Sequence, residues 1–416
     1  MNPILLRNKS YFISSNFFYI FIANFISSLG DYIYQVGIIV YLYNETKSAP
    51  IIGGYFIIQF VSSLALTPII GTLIDRWNKK YILLFTNIIR AVALGLLLIN
   101  TSAVIIYIVA VAIGVNEEIF GATQNSIIPE IVEDKQVIKA NSLISTSDSI
   151  NMIIGPALAG ILISTFEIYG SIITNVISFL FASLFILFIK VETNILVENE
   201  TKNGSFLTEL KDGFLFIVKN SLVKRIILIW GLLLIGIGAT GALLIFLLSD
   251  YLKLPSDSYG WAMTAEGLGI VLGSLMILKF KDKFTFTKLI RLGLFLIGGS
   301  LTIISITSNY YILIIFYCFA GLGASATPLG LRSTLQTQLP KKILGRVFMS
   351  VRFIVTSLRT FSIAGATLLV NYINLRIVFV VLSLIIIFAF LLSLLFKFEN
   401  VEDAPLDDNI KSSTST

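Results

Sequence analysis

The chain reads as long uncharged apolar runs separated by short polar, charged stretches. Twenty-one residues without a charge lie between Lys9 and Asp31, 27 between Lys47 and Asp75, 26 between Arg90 and Glu117, and 24 between Arg225 and Asp250. Runs of 18 and 22 residues flank Glu167, bounded by Asp148 and Lys190. Forty lie between Arg291 and Arg332, room for two helices with a turn near Ser308-Asn309, and 20 lie between Arg376 and Lys397. A helix needs about 20 apolar residues to cross the hydrocarbon of a bilayer. The interrupted segments 81–100, 257–280 and 345–370 bring the total to twelve spans. The runs are too long for barrel strands and lack their two-residue alternation. The pattern predicts an all-α integral membrane protein with twelve transmembrane helices.

Composition sharpens this. Of 416 residues, 56% are hydrophobic and 13% charged, about half the charged share of soluble chains. Soluble, disordered and collagen-like classes are excluded. Cys318 is the single cysteine and has no partner in the chain, so the redox compartment is unreadable. The chain contains no histidine, which removes imidazole catalysis, His metal ligands and His proton relays together. It has no phosphate-binding Gly-x-x-x-x-Gly-Lys-Ser/Thr loop, no Gly-x-Ser-x-Gly elbow and no metal-ligand cluster. Neither an enzyme, a cofactor nor a metal is expected.

Basic residues set orientation. The N-terminus, the loops after spans 2, 4, 6, 8 and 10 and the C-terminus carry 24 Lys and Arg, with Arg332 counted in the loop after span 10. The opposite loops carry Lys47, Lys253 and Arg376. Both termini are therefore expected in the cytoplasm, with span 1 a retained helix beginning near residue 17. The net charge of +6 becomes a topology signal and not a nucleic-acid footprint.

The longest polar stretch divides the chain: a six-helix bundle over 1–190, a cytoplasmic linker over 191–222, a second six-helix bundle over 223–397, and an acidic then Ser/Thr-rich tail over 398–416, expected to be disordered. A shift of 208 residues lays Leu29-Gly30 on Ile237-Gly238 and Ile127–Ile131 on Leu335–Leu339. Six and six, even within each half, makes two pseudo-symmetric parallel repeats, the arrangement of a rocking transporter with its site between them.

Charges inside spans are costly and mark cavities or partners. Asp31 stands inside span 1, in Ser27-Ser28-Leu29-Gly30-Asp31-Tyr32. Its repeat partner is Ala239, so this acid belongs to one half only. Glu117 and Glu118 stand in span 4 and Glu266 in span 8. Adjacent helix residues point about 100° apart, so one of Glu117 and Glu118 is expected to face a cavity squarely. With no histidine, proton coupling must use carboxylates. The alternatives are a structural acid at Asp31 and internal pairing of these acids with Arg90, Arg352 and Arg359, an Asp31–Arg90 pair among them. Asp148 begins span 5, where it suits the helix dipole. Tyr32, Tyr34, Tyr41 and Trp261 are available to line a cavity for a bulky apolar ligand, without individual assignment.

Gly71-Thr72-Leu73-Ile74-Asp75-Arg76-Trp77-Asn78-Lys79-Lys80, after span 2, resembles the signature of the major facilitator superfamily. Asn78 stands where the family has its second glycine, and asparagine tolerates the left-handed turn that glycine serves there. The resemblance implies a gate latch of Gly71, Asp75, Arg76, Lys79 and Lys80: close helix approach at Gly71, Asp75 against a helix N-terminus, and the basics bridging to acids across the cytoplasmic face. The other reading is a plain topology-setting basic loop. Gly155-Pro156-Ala157-Leu158-Ala159-Gly160 in span 5 resembles the antiporter motif of the superfamily, implying tight packing of Gly155, Pro156 and Gly160 against span 8. Gly30-Asp31 resembles the pattern of macrolide-efflux and siderophore-exporter members. Over about 10–397 the chain is thus similar to a drug-exporter-type major facilitator. The resemblance implies a monomeric proton antiporter in a bacterial plasma membrane, exporting hydrophobic or amphipathic small molecules such as macrolides. A self-made siderophore or peptide antibiotic, or a lysophospholipid, is the alternative cargo, and a non-transporting membrane sensor the alternative class.

Overall fold

Residues 14–190, 206–280, 283–339, 341–396 and 398 are described by the computed structural model of the chain. Within them, long helices follow one another with short turns. They are α1 (Ser15–Thr46), α2 (Ala49–Arg76), α3 (Lys79–Ile99), α4 (Ala103–Ile131), α5 (Val137–Leu187), α6 (Phe206–Lys219), α7 (Ser221–Gly238), α8 (Thr240–Phe246), α9 (Ser258–Lys279), α10 (Phe286–Ile306), α11 (Tyr310–Gln338), α12 (Lys341–Leu369) and α13 (Leu375–Leu395). Among the described residues nine helices are long and apolar enough to cross a membrane.

Helix starts are written in the polar punctuation. Ser14, Asn220 and Asn374 accept from the backbone N–H groups of Phe17, Val223 and Arg376 at 3.0, 3.0 and 2.8 Å, as short polar side chains do at N-caps. The exposed face of α13 is Ile377, Val381, Leu384, Phe388, Leu391 and Leu395, while Val378, Leu382, Ile386 and Ala389 are buried. A helix apolar on both faces needs lipid on one of them.

The helical run of α5 is interrupted at Glu167 (φ 55°, ψ −146°). Its 51 residues far exceed the roughly 20 that cross a bilayer. The run is two passes reversing at the acid that separates two apolar stretches in the sequence. The run also begins at Val137, so Asp148 lies inside the helix and not at its start. The helix continues through polar turns beyond the apolar stretch, and the dipole account of Asp148 does not hold.

Helices α1 to α5 pack chiefly on one another, as do α7 to α13. The first set meets the second where α5 packs on α9, α2 on α12, and α1 and α2 on α8. The first fifteen residues of the expected linker (191–205) and the expected tail other than Phe398 lie outside the described residues. The rest of the linker holds α6, which packs on α12 and α7. After α7 the helix breaks at Ala239, resumes as α8, and ends in a π-turn over Leu247–Tyr251. Ala239 is the position the 208-residue shift sets opposite Asp31.

Candidate functional site

A cavity of about 1240 Å³ lies between the two sets of helices, walled by α1, α2, α4, α7, α11 and α12. It runs from mid-depth at Asp31 and Ile363 toward the end where α12 begins, at Phe348 and Met349. The other end is closed. There Tyr43 donates to Asp250 at 2.5 Å and Ser256 to Asn44 at 2.9 Å, and the Tyr43 and Phe246 rings meet edge-on at 4.9 Å. Beside them α5 and α9 approach backbone to backbone. A Cβ on Gly260 would stand 2.6 Å from the Pro156 carbonyl oxygen, and one on Gly267 2.8 Å from that of Met152. Gly155, Pro156 and Gly160 all belong to α5; Pro156 and Gly160 face Gly260 across this seam, whereas Gly155 packs on Tyr32 of α1 and not on α9, which corrects the expectation for it.

Asp31 sits halfway along α1 and borders the cavity. Arg90 Nη1 stands 3.4 Å from Asp31 Oδ2, and Asn175 Nδ2 donates to Oδ1 at 3.2 Å. Arg90 is almost wholly buried, donates to Asn87 Oδ1 at 2.7 Å, and lies between the rings of Phe120 and Phe179 at 4.8 and 4.3 Å. Buried, ring-stacked guanidinium is far cheaper than buried ammonium because it is weakly hydrated and planar. This arginine therefore fixes the position of the Asp31 carboxylate.

Glu117 and Glu118 both border the cavity, from adjacent positions about 100° apart on α4. They differ in partner. Glu118 pairs with Arg352 of α12 at 3.2 Å, across the boundary between the helix sets. Glu117 has Asp31, Arg90 and Glu118 as its charged neighbours. Glu266 is not among the cavity-lining residues; its charged neighbour is Arg359. Arg332, counted with a loop in the sequence, lies six residues inside α11 and lines the cavity, because the helix outruns the apolar stretch.

A second, smaller cavity of about 340 Å³ opens within the first set. Asp31, Gln35 and Glu117 line both cavities, and Arg90, Gln124 and Asp148 line the smaller one. Asp148 accepts from Asn24 at 3.2 Å and Ser28 at 3.3 Å. Tyr34 lines the large cavity and Tyr32 the small one, whereas Tyr41 bonds Thr101 at 2.6 Å and Trp261 is half-exposed on α9. The sequence reading missed Asn24, Asn175, Gln35 and Gln124. Their signal was polar amides within apolar runs.

Of the expected latch, the side chains of Gly71, Asp75 and Arg76 lie outside the described residues. Lys79 pairs with Glu130 at the end of α4. Lys80 donates to the carbonyls of Leu187 and Ile189 at 2.7 and 2.8 Å, closing the end of α5. All three bonds stay within the first set of helices and the turn that follows α5. Asn78 takes no left-handed conformation: its φ is −64°, and it caps α3 by accepting from Lys80 N at 3.0 Å. Asparagine serves here as an N-cap and not as a substitute for glycine's backbone freedom. Among the described residues no group of three or more metal-ligating side chains is arranged to hold a metal ion.

A family model described as Major Facilitator Superfamily matches residues 20–253 and again 228–415. The chain belongs to the major facilitator superfamily. It is a membrane transporter and not an enzyme. Macrolide efflux protein A of Streptococcus pyogenes is 24% identical over 339 residues, covering 80% of this chain and 84% of that one. Staphyloferrin A transporter of Staphylococcus aureus is 24% identical over 314 residues, covering 73% and 77%. The fold is also that of the nucleoside transporter NupG, at a TM-score of 0.76 and 14% identity over 92% of this chain and all of that one.

Proposed function

We propose that this facilitator is a proton-driven exporter of hydrophobic or amphipathic small molecules, macrolide-like drugs among them, working as a monomer in a bacterial plasma membrane. Counting α5 as two passes and adding α2 and α3 to the nine long apolar helices supports twelve spans. The lysine and arginine bias supports cytoplasmic termini, so the cavity opens inward.

The observation that carries the reading is the pair of mid-span acids, Asp31 and Glu117, bordering the cavity, with a buried arginine, Arg90, 3.4 Å from Asp31. A proton and Arg90 compete for Asp31. When Asp31 takes a proton arriving from outside, Arg90 is left to Glu117. When the proton leaves to the cytoplasm, Arg90 returns. Cargo in the cavity touches both helix sets, so its release and the proton's movement share one conformational change. Asp75 and the basic residues beside it balance the two states.

Asp31→Asn tests this in proteoliposomes carrying a pH gradient. Gradient-driven efflux is lost while the variant inserts and elutes as the parent does. Normal pumping by the variant overturns the reading. Asp31→Asn with Arg90→Gln, which removes both charges together, supplies the same test where the single change leaves an uncompensated buried arginine. A second reading keeps the fold and changes the cargo to a siderophore, favoured by the match to the staphyloferrin A transporter. Export of each cargo class from a pump-deficient host separates the two.

A further inference from the structure

The central cavity is electrically two-sided. Among the described residues, every acid that lines it, Asp31, Glu117 and Glu118, comes from α1 and α4 of the first helix set, and every arginine that lines it, Arg332, Arg352 and Arg359, from α11 and α12 of the second. The two walls are not equally satisfied. On the acidic wall Asp31 has Arg90 and Asn175, and Glu118 has Arg352. On the basic wall, among the described residues, no carboxylate stands within ion-pair distance of Arg332 or Arg359. Arg332 rests on the Phe348 ring at 5.9 Å. Arg359 is exposed to the cavity, with Glu266 behind it as its charged neighbour.

Depth makes this significant. Arg359 lies eighteen residues into α12 and ten from its end, too far from either for its side chain to reach a membrane surface. An unpaired guanidinium at that depth is costly, and it cannot escape the cost by shedding its proton. Arg359 at this depth, with Arg332 nearer the mouth six residues from the end of α11, faces a cavity whose deeper lining includes Phe56, Phe60 and Trp230, which suits an oxyanion carried on an apolar body. Guanidinium forks bind carboxylate or phosphate in two-pronged fashion.

We infer that the cargo is an amphipathic anion or zwitterion, whose carboxylate or phosphate is drawn to the basic wall by Arg332 and Arg359 while its apolar part lies against Phe56, Phe60 and Trp230. This rests on the reading of the central cavity as the cargo site and narrows the substrate class, favouring the siderophore reading over macrolides, whose amine is cationic at neutral pH. Such a cargo spans the boundary between the helix sets, so its binding bears directly on the rocking equilibrium.

The test uses the purified full chain in detergent, where no gradient is needed, so it stands or falls apart from proton coupling. Four probes share one dansyl group and one octyl chain and differ in head group: carboxylate, phosphate monoester, primary amine and neutral amide. Binding is read by fluorescence titration. The carboxylate, the phosphate or both bind at least about tenfold more tightly than the amine and the amide, and the ratio between the two anions identifies which oxyanion the site takes. Arg332→Gln and Arg359→Gln each weaken the anionic probe about tenfold, the loss of one charged hydrogen bond, and leave the amide unchanged. Arg359→Lys, which retains the charge, keeps part of the anion preference. Equal or tighter binding of the amine, or unchanged anion affinity in both glutamine variants, overturns the proposal. The head-group comparison on the parent protein decides the matter even if a variant fails to insert.

Discussion

Tyr43 Oη donates to Asp250 Oδ1 at 2.5 Å, tying α1 of the first helix set to the π-turn after α8 in the second. The tyrosine ring is held in place by Phe246 edge-on and by the Lys47 ammonium 3.7 Å above its face. The bond closes the end of the molecule opposite the cavity mouth.

Tyr43→Phe keeps the ring and removes the bond. A hydrogen bond to a charged acceptor contributes about 1.5–3 kcal/mol, so the balance moves toward opening at this end by about tenfold or more. Spin labels at positions 104 and 311, exposed at the starts of α4 and α11, in a Cys318→Ser background, report it. A longer-distance population appears in Tyr43→Phe and is minor in the parent. Identical distance distributions would show that the bond does not hold this end shut.

The seam between α5 and α9 tolerates no added atom at Gly267. A Cβ there meets the Met152 carbonyl oxygen at 2.8 Å and Ile153 Cα at 3.2 Å. Both are backbone atoms of a helix and cannot swing aside. Gly267→Ala is expected to cost about 1–3 kcal/mol of packing strain. Thermal unfolding followed by size exclusion shows a lower midpoint, and transport falls with it. Gly299→Ala, where a Cβ meets nothing within 4 Å, serves as the control and leaves the midpoint unmoved.

Glu118 and Arg352 cross the same boundary nearer the cavity mouth, but the arginine side chain is 75% exposed. An exposed pair contributes at most about 1 kcal/mol. Glu118→Gln therefore changes transport less than about tenfold, in contrast to the loss expected at Asp31. Reversing both charges, Glu118→Arg with Arg352→Glu, returns the rate toward the parent's. A total loss in Glu118→Gln, unrepaired by the reversal, would give Glu118 a role other than pairing.

Lys80 satisfies two carbonyls at the end of α5 that have no partner inside the helix. Lys80→Met keeps the length of the side chain and leaves them to water. A loss of about 0.5–1.5 kcal/mol per bond is expected, read as faster amide exchange over residues 183–189 while the start of α5 stays protected. Uniform exchange across α5 would refute the capping role.

What the sequence could yield was set by dimensionality. Asp31 was visible because one acid in an apolar run stands out along a line. Arg90 could be named only as one possible partner and Asn175 not at all, since they lie 59 and 144 residues away on α3 and α5, and only packing brings them together. Glu167 could be read as a reversal because it sits between two runs each long enough to cross. Asp148 and Arg332 misled because a charge was taken to bound its span, whereas both helices outrun the apolar stretch. The sidedness of the central cavity was out of reach, as it depends on which face each of four helices turns inward.

The reversal at Glu167 leaves no loop between the two passes of α5. The first pass lies against α9 of the opposite helix set at Gly160 and Gly260, while the second holds Asp31 through Asn175. Joined at one residue, the two passes put the inter-set seam and the amide partner of the acid on a single helical hairpin.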